Sequence, residues 1–264
     1  MFALVRSAAR TVAHRTAAIV PRRAAALLLG AALAAPAAAR AQGGRAGRGA
    51  DDQASARPAA GAMSLRDTSM NNVNRVIAMS EVPPVVTHHT MTLNGKVIAY
   101  TAYAGMLPIR NEHTNATEGA IFFEAYVKDG ENANTRPVSF IFNGGPGSAS
   151  VWLHLGAFGP KRVHLEPDGE SGPPPYRYED NPNTLLDQTD MVFIDPVGTG
   201  YSRAATPALG ANFWGLNQDL QTVGEFIRLY LTRYDRWQSP KFLMGESYGT
   251  TRAAGLSGTL ADAG

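Results

Sequence analysis

The stretch Phe242-Leu243-Met244-Gly245-Glu246-Ser247-Tyr248-Gly249 decides the fold class, because a short apolar run passes directly into the pattern G-x-S-x-G. The residues that follow, Thr250 to Asp262, are typical of a helix. A strand, a sharp turn centred on serine and a helix together form a nucleophile elbow. Side chains at the two glycine positions would collide in so tight a turn, and the serine hydroxyl would lie at the positive end of the helix. The pattern predicts Ser247 as a nucleophile; the alternative is a serine that only caps the helix.

The rest of the chain predicts the sheet that carries this turn. Alternating polar and apolar residues around an Asn-Gly pair indicate a hairpin, and uninterrupted apolar runs indicate strands that are buried on both faces. Antiparallel strands followed by strand–helix alternation predict an α/β fold with a mostly parallel central sheet, in which function collects at the carboxyl ends of the strands. The predicted hairpin covers Thr90 to Tyr103, the other strands Ala120 to Lys128, Pro137 to Phe142, Met191 to Ile194 and Lys241 to Met244, and a helix Leu216 to Trp237.

A glycine-rich turn, Asn143-Gly144-Gly145-Pro146-Gly147, follows the first of the uninterrupted apolar strands. Acyl transfer needs a backbone N–H aimed at the oxyanion of the tetrahedral intermediate, and glycines let the main chain approach a substrate closely. The alternatives are a plain turn or a phosphate-binding loop, although the Lys-Ser/Thr of a P-loop is missing. The turn Asp195 to Ser202, after the next strand, predicts a tight strand-end turn, and Asp195 is not expected to be a triad acid.

The first 41 residues have the layout of an export signal. Arginines precede an apolar run from Ala24 to Ala39, and Ala39-Arg40-Ala41 forms an A-x-A cleavage site. The run is short for a membrane span and is broken by Pro36, so a single-pass anchor is the less favoured alternative. Residues 42–85 predict a flexible linker and a short extension, and residues 86–264 the N-terminal portion of the α/β domain that carries the elbow. We expect an exported protein, periplasmic or secreted, without a stable membrane anchor.

Composition excludes several kinds of chemistry. The chain contains no cysteine, which rules out disulfides, thiolate catalysis and cysteine-ligated metal centres. The first 50 residues hold 8 of the 24 Lys and Arg residues and no Asp or Glu, which leaves an acidic body of 16 basic against 22 acidic residues. A basic pI therefore does not indicate nucleic-acid binding by the folded part. We expect no cofactor, no metal and no nucleic-acid partner.

The three turns together resemble the serine carboxypeptidases of the carboxypeptidase Y type, which have the α/β-hydrolase fold. The resemblance rests on Asn143-Gly144-Gly145-Pro146-Gly147, Gly198-Thr199-Gly200-Tyr201-Ser202 and Gly245-Glu246-Ser247-Tyr248-Gly249 in this order, and covers about residues 90–262. It implies that Ser247 is the nucleophile and that the N–H groups of Gly145 and Tyr248 form the oxyanion hole. It also implies that Asn143 and Glu246 bind the terminal carboxylate of peptide substrates with a free C-terminus.

The sequence also departs from the family's pattern. Ile141 stands where the family usually has tryptophan, and Ala157 stands where it usually has an acid. In this fold the triad follows the order Ser, Asp or Glu, His, yet the 17 residues after Ser247 contain no histidine. We therefore expect the N-terminal part of a longer enzyme, truncated after the elbow helix, with the triad Asp and His beyond the chain end. His154 and His164, which lie upstream, are expected to be structural.

Two other functions stay open at this point. A carboxylesterase or acyltransferase of the same fold would share the serine motif, although Asn143 and the Gly-Gly-Pro-Gly turn favour the carboxypeptidase. A non-catalytic binding module is favoured only if the protein ends at Gly264.

Overall fold

The computed structural model describes residues 70–262, so the predicted export signal and the linker up to residue 69 lie outside the described residues. None of the helices within 70–262 is long and apolar enough to cross a membrane. The helical elements are α1 (Met70–Ser80), α2 (Val151–Leu153), a π-helical turn (His154–Phe158), a 3-10 helix (Pro207–Phe213), α3 (Leu216–Arg233) and α4 (Tyr248–Asp262). The strands are β1 (Val85–Leu93), β2 (Lys96–Arg110), β3 (Thr117–Lys128), β4 (Val138–Phe142), β5 (Lys161–Val163), β6 (Tyr178–Asp180), β7 (Asp190–Ile194), β8 (Arg203–Ala204) and β9 (Lys241–Gly245).

The predicted hairpin is confirmed as β1 and β2. Asn94 and Gly95 both have positive φ, 52° and 76°, which is the conformation that a two-residue hairpin turn requires. The second strand continues beyond its predicted end at Tyr103 because it pairs with β3 as far as Arg110 opposite Thr117. Hydrogen bonding across the sheet thus extends a strand whose sequence alternation has already ended.

The main sheet has the order β1-β2-β3-β7-β4-β9, with the short β8 paired to β3. The strands from β1 to β7 pair antiparallel, whereas β7, β4 and β9 run parallel. The predicted parallel arrangement therefore holds for the three strands that carry the motifs, within a sheet that is mixed as a whole. In the register of β4 and β9, Phe142 lies opposite Gly245. Asn143 and Glu246, the next residues of these strands, consequently emerge side by side at the carboxyl edge.

Two apolar cores cover the sheet. Residues of α3 and α4, among them Phe226 and Leu256, pack with one face of β3, β4 and β7. Leu153 of α2 packs on the opposite face, against residues that include Ile141 and Phe193. The alternation of side chains along β4 thus sends Phe142 to the helical side and Ile141 to the side of α2.

Helix α3 begins at Leu216 as predicted but ends at Arg233, four residues before its predicted end. The chain leaves the helix at Asp235, whose φ is 51°. Arg236 then turns into the protein, and its Nη1 donates to Asp190 at 2.7 Å. Asp190 also accepts from Arg136 Nε at 2.7 Å, so one buried carboxylate joins both arginines at the edge of the sheet opposite the predicted site.

Candidate active site

Ser247 occupies the turn between β9 and α4, with a φ of 56°. This left-handed conformation is strained for a residue with a side chain, and it leaves Ser247 exposed at the amino end of α4. A Cβ on Gly245 would overlap the carbonyl oxygen of Gly249, and a Cβ on Gly249 would lie 2.8 Å from the carbonyl oxygen of Phe142. The expected steric need for glycine at both positions is confirmed.

The glycine-rich turn after β4 lies against this elbow. A Cβ on Gly144 would come within 2.5 Å of the Tyr248 nitrogen, so only glycine allows the two backbones to approach so closely. Gly145 follows with a φ of 109°. Among residues 70–262, no hydrogen bond uses the N–H of Gly145 or of Tyr248. Within these residues, the two N–H groups predicted as oxyanion donors thus have no protein acceptor.

Asn143 and Glu246 form a direct contact beside Ser247. The Asn143 Nδ2 donates to Glu246 Oε2 at 3.1 Å, while its Oδ1 accepts from the backbone N–H of Leu153 at 3.0 Å. These opposite partners fix which end of the carboxamide faces Glu246. Asn143 is almost fully buried, whereas Glu246 is exposed, so the carboxyl group of Glu246 faces solvent next to a buried neutral donor.

The fully buried Arg252 connects the glycine-rich turn with the turn that carries Ser247. Its Nη1 donates to the carbonyl oxygen of Asn143 at 2.8 Å, and its Nε donates to Asp219 of α3 at 2.8 Å. Its guanidinium also lies over the rings of Phe142 and Tyr248, at 5.1 and 5.3 Å from their centroids. Arg252 thus fixes the strand that carries Asn143 relative to the helix that carries Tyr248.

Sequence reasoning missed Arg252, although one signal was present. Gly249, Arg252 and Leu256 lie three and four residues apart, and all three are buried on one face of α4. An arginine at a core position of a helix indicates a buried partner acid. Only the fold shows that this acid is Asp219, 33 residues away.

The histidines upstream of Ser247 are held elsewhere. His154 Nδ1 lies 2.8 Å from Glu124 Oε2, and His164 Nδ1 lies 2.8 Å from Glu179 Oε2. Within the described part of the chain, the Ser247 hydroxyl makes no hydrogen bond to a histidine. The expectation that both histidines are structural is consistent with these contacts.

The two departures from the family pattern belong to the same apolar core, on the α2 face of the sheet. Ile141 is fully buried in β4, where it packs in the core beneath α2. Ala157 contributes a methyl group, and its carbonyl oxygen accepts from Asn181 Nδ2 at 2.8 Å. Neither residue supplies a donor or an acid to the pair of Asn143 and Glu246.

Asp195 follows β7 at the same edge of the sheet. Its Oδ1 accepts from the backbone N–H of Ser150 at 2.7 Å, which ties it to the start of α2. Burial, with a smaller contribution from the charge of Glu124, raises the pKa of Asp195 to about 6 against the opposing effects of the Ser150 hydrogen bond and of His154. Asp195 therefore supports the glycine-rich loop.

The described residues contain no group of three or more histidine or acidic side chains that could hold a metal ion. The groups that lie together at this edge of the sheet are an exposed serine at a helix amino end, two backbone N–H groups and an amide–carboxyl pair.

Comparison with known proteins identifies relatives of this chain. Serine carboxypeptidase-like 36 of Arabidopsis thaliana is 29% identical over 196 residues, which cover 72% of this chain and 37% of that protein. Pheromone-processing carboxypeptidase KEX1 of Cryptococcus gattii is 29% identical over 182 residues, 66% of this chain and 25% of that protein. The chain thus spans about a quarter to two fifths of the length of these relatives. Among solved structures, the peroxisomal α/β-hydrolase Lpx1 of Saccharomyces cerevisiae matches 69% of this chain and 42% of its own at 12% identity, with a TM-score of 0.34.

The family model described as serine carboxypeptidase, peptidase S10, matches residues 93–262. That span runs from the first hairpin to the end of α4 and contains the elbow, the glycine-rich turn and the pair of Asn143 and Glu246. A mixed sheet with a serine elbow between a parallel strand and a helix is the α/β-hydrolase arrangement. The match covers well over half of the chain, and on this ground the chain is a member of the serine carboxypeptidase family.

Proposed function

We propose that the protein is a serine-type carboxypeptidase that releases C-terminal residues from peptides through an acyl-enzyme on Ser247. The observation that carries this proposal is the hydrogen bond between Asn143 and Glu246 beside an exposed serine at a helix amino end. An amide donor next to a carboxyl group is suited to bind a substrate carboxylate. In this proposal, a carboxylate bound beside Ser247 leaves the bond to be cleaved one residue from the C-terminus.

In the proposed reaction, Ser247 Oγ attacks the last peptide carbonyl and gives its proton to a general base. The N–H groups of Gly145 and Tyr248 bind the oxyanion of the tetrahedral intermediate. The intermediate collapses with protonation of the leaving amine, and the C-terminal amino acid departs. Water then attacks the acyl-enzyme by the same steps and regenerates the Ser247 hydroxyl.

The base and the acid that orients it are proposed to come from outside the described residues. The ring of His154 contacts the carboxylate of Glu124, and the ring of His164 contacts that of Glu179. Neither ring is hydrogen-bonded to Ser247. The relatives are considerably longer than the span they share with this chain. Without its base a serine hydroxyl is a weak nucleophile, so tests of activity use the complete enzyme.

Recognition of the substrate carboxylate should depend on pH. Two carboxyl groups in contact bind each other only when one of them carries a proton. At the position where the family usually has a second acid, this chain has Ala157. We therefore propose that Glu246 and the substrate share one proton while Asn143 Nδ2 donates a second hydrogen bond.

Export of the protein is a further part of the proposal. It rests on the basic start, the apolar run and the A-x-A site within residues 1–41. Comparison of the mature N-terminus with the gene sequence tests it: cleavage between Ala41 and Gln42 is expected, and an uncleaved N-terminus contradicts the proposal.

A second candidate is a carboxylesterase or acyltransferase, and the presence of Ala157 in place of an acid favours it. A binding site with one acid instead of two binds a substrate carboxylate less firmly. Such an enzyme would use Ser247 and both oxyanion donors in the same way but would not distinguish a free C-terminal carboxylate from a blocked one. The two candidates therefore differ in one measurable ratio.

The test measures kcat/KM for an N-blocked dipeptide with a free carboxylate and for the same dipeptide as its C-terminal amide, between pH 4 and 8. A carboxypeptidase prefers the free acid at acidic pH and loses that preference as pH rises, while the amide shows little of this loss. Glu246→Gln should flatten the fall for the free acid, and Glu170→Gln, on an exposed loop, should not. Superimposable profiles for the two substrates in the wild type favour the esterase.

A further inference from the structure

His154 lies in a buried polar cluster that the proposed reaction does not use. Only 5% of the residue is exposed, and its ring packs on Phe193 with centroids 4.6 Å apart. Its Nδ1 lies 2.8 Å from Glu124 Oε2, and its Nε2 lies 2.6 Å from the Tyr126 hydroxyl. A neutral imidazole satisfies both partners, since Nδ1–H donates to the carboxylate and Nε2 accepts the tyrosine proton.

This cluster joins strand β3 to the segment that follows the glycine-rich turn. Glu124 and Tyr126 lie on β3, two strands away from β4 in the sheet. Burial raises the pKa of the Tyr126 hydroxyl, with a further contribution from the charge of Glu124, so this group remains a proton donor. His154 is therefore held from both sides by a rigid element of the fold.

The residue before His154 contacts the carboxylate-binding pair. The backbone N–H of Leu153 donates to Asn143 Oδ1, and the opposite end of that carboxamide donates to Glu246. Helix α2 has only three residues, and although the His154 N–H donates to the Ser150 carbonyl oxygen at 2.9 Å, the position of the Leu153 N–H also depends on contacts outside this short helix. Its start is tied to Asp195 through Ser150, and its end is tied to β3 through His154.

We infer that His154, held by Glu124 and Tyr126, is a positioning residue that orients the Asn143 carboxamide and so determines preference for a free C-terminal carboxylate. The inference rests on the proposed function. If the anchor is lost, the Leu153 N–H moves, and the carboxamide of Asn143 is free to turn its oxygen toward Glu246. An acceptor then faces the substrate carboxylate where a donor is needed, whereas Ser247 and the oxyanion donors are unaffected.

The test compares free-acid and amide substrates in the complete enzyme. His154→Phe keeps the ring against Phe193 but loses both hydrogen bonds, and Glu124→Leu loses the carboxylate. We expect kcat/KM for the free acid to fall about tenfold or more in both variants, mainly through KM, because a hydrogen bond to a charged group is lost. The amide substrate should keep its kcat within about twofold.

Conservative variants separate positioning from general destabilisation. Glu124→Gln keeps an acceptor oxygen for His154 Nδ1 and should restore most of the free-acid preference. Tyr126→Phe removes one hydroxyl and should give an intermediate loss if the larger substitutions fail to fold. His164→Phe is the matched control, because His164 has the same 2.8 Å contact with a carboxylate, on the β5–β6 hairpin, but no link to Asn143. It should leave the ratio unchanged.

Two results overturn the inference in different ways. In the first, His154→Phe and Tyr126→Phe fold and keep the wild-type ratio of kcat/KM for the free acid to kcat/KM for the amide, or lower kcat/KM equally for both substrates. The cluster then has only a structural role, and the proposed function still stands. If the wild type itself does not discriminate between the two substrates, the carboxypeptidase proposal fails and the inference fails with it.

Discussion

Replacing Arg252 by methionine removes the buried guanidinium that joins the start of the glycine-rich turn to helix α4. The substitution keeps an unbranched apolar side chain of comparable length between the rings of Phe142 and Tyr248. It leaves Asp219, whose side chain is 11% exposed, without its 2.8 Å partner, and the Asn143 carbonyl oxygen without its donor. Breaking one partner of a buried ion pair costs about 3–5 kcal/mol of unfolding free energy. We expect a loss of that size.

The loss is measured by urea unfolding of the purified protein. With a slope of about 2 kcal/mol per molar urea, the midpoint of Arg252→Met should fall by roughly 2 M at an unchanged slope. Asp219→Asn in the same background removes the lone carboxylate and should recover about half of the loss. Arg177→Met, at an exposed position, should change stability by less than about 0.5 kcal/mol.

The reasoning is refuted if Arg252→Met and Arg177→Met unfold at the same urea concentration. It is also wrong if Asp219→Asn makes the Arg252→Met protein less stable. Either result would mean that the pair contributes nothing to the joint between the two turns.

Three further substitutions test the supports of the site. Burial raises the pKa of Asp195 from 3.8 to about 6, so its ionisation opposes folding, and this residue should contribute a loss of about 3 kcal/mol to the free energy of unfolding as pH rises from 4 through 6. Asp195→Asn, which keeps an acceptor for Ser150, should remove this contribution, and the same change of stability with pH in both proteins, measured by urea unfolding, would contradict it. Asp190→Asn leaves two buried arginines without a carboxylate and should lower the free energy of unfolding by about 3–5 kcal/mol. A thermal unfolding midpoint equal to that of the wild type would contradict this expectation. Gly249→Ala places a methyl group 2.8 Å from a β4 carbonyl and should lower kcat of the complete enzyme by about tenfold or more, whereas Gly258→Ala, in open space on the same helix, should retain it; equal rates would disprove the steric requirement.

Local patterns in the sequence predicted much of the fold. The Asn94-Gly95 turn, the three parallel strands and the elbow all depend on neighbouring residues, and each lies where its pattern indicates. The close approach of Gly144 to Tyr248 depends in addition on the strand order, in which β4 and β9 are adjacent and parallel.

The supports of the site could not be predicted in the same way. Arg252 meets Asp219 of a different helix, and His154 meets Glu124 of a strand 30 residues earlier. Such pairs depend on how elements pack, and charged residues far apart in sequence have many possible partners. The early end of α3 has a similar cause, since the buried contact of Arg236 with Asp190 replaces a last helical turn.

The central claim is that Ser247 forms the acyl-enzyme. The most direct measurement treats the complete enzyme with a fluorophosphonate, which modifies only an activated serine, and locates the adduct by mass spectrometry. We predict a single adduct on the peptide that contains Ser247, with hydrolysis of the blocked dipeptide lost in proportion to labelling, and no adduct in Ser247→Ala. An adduct on another residue, or hydrolysis that persists when Ser247 is fully modified, would contradict the claim.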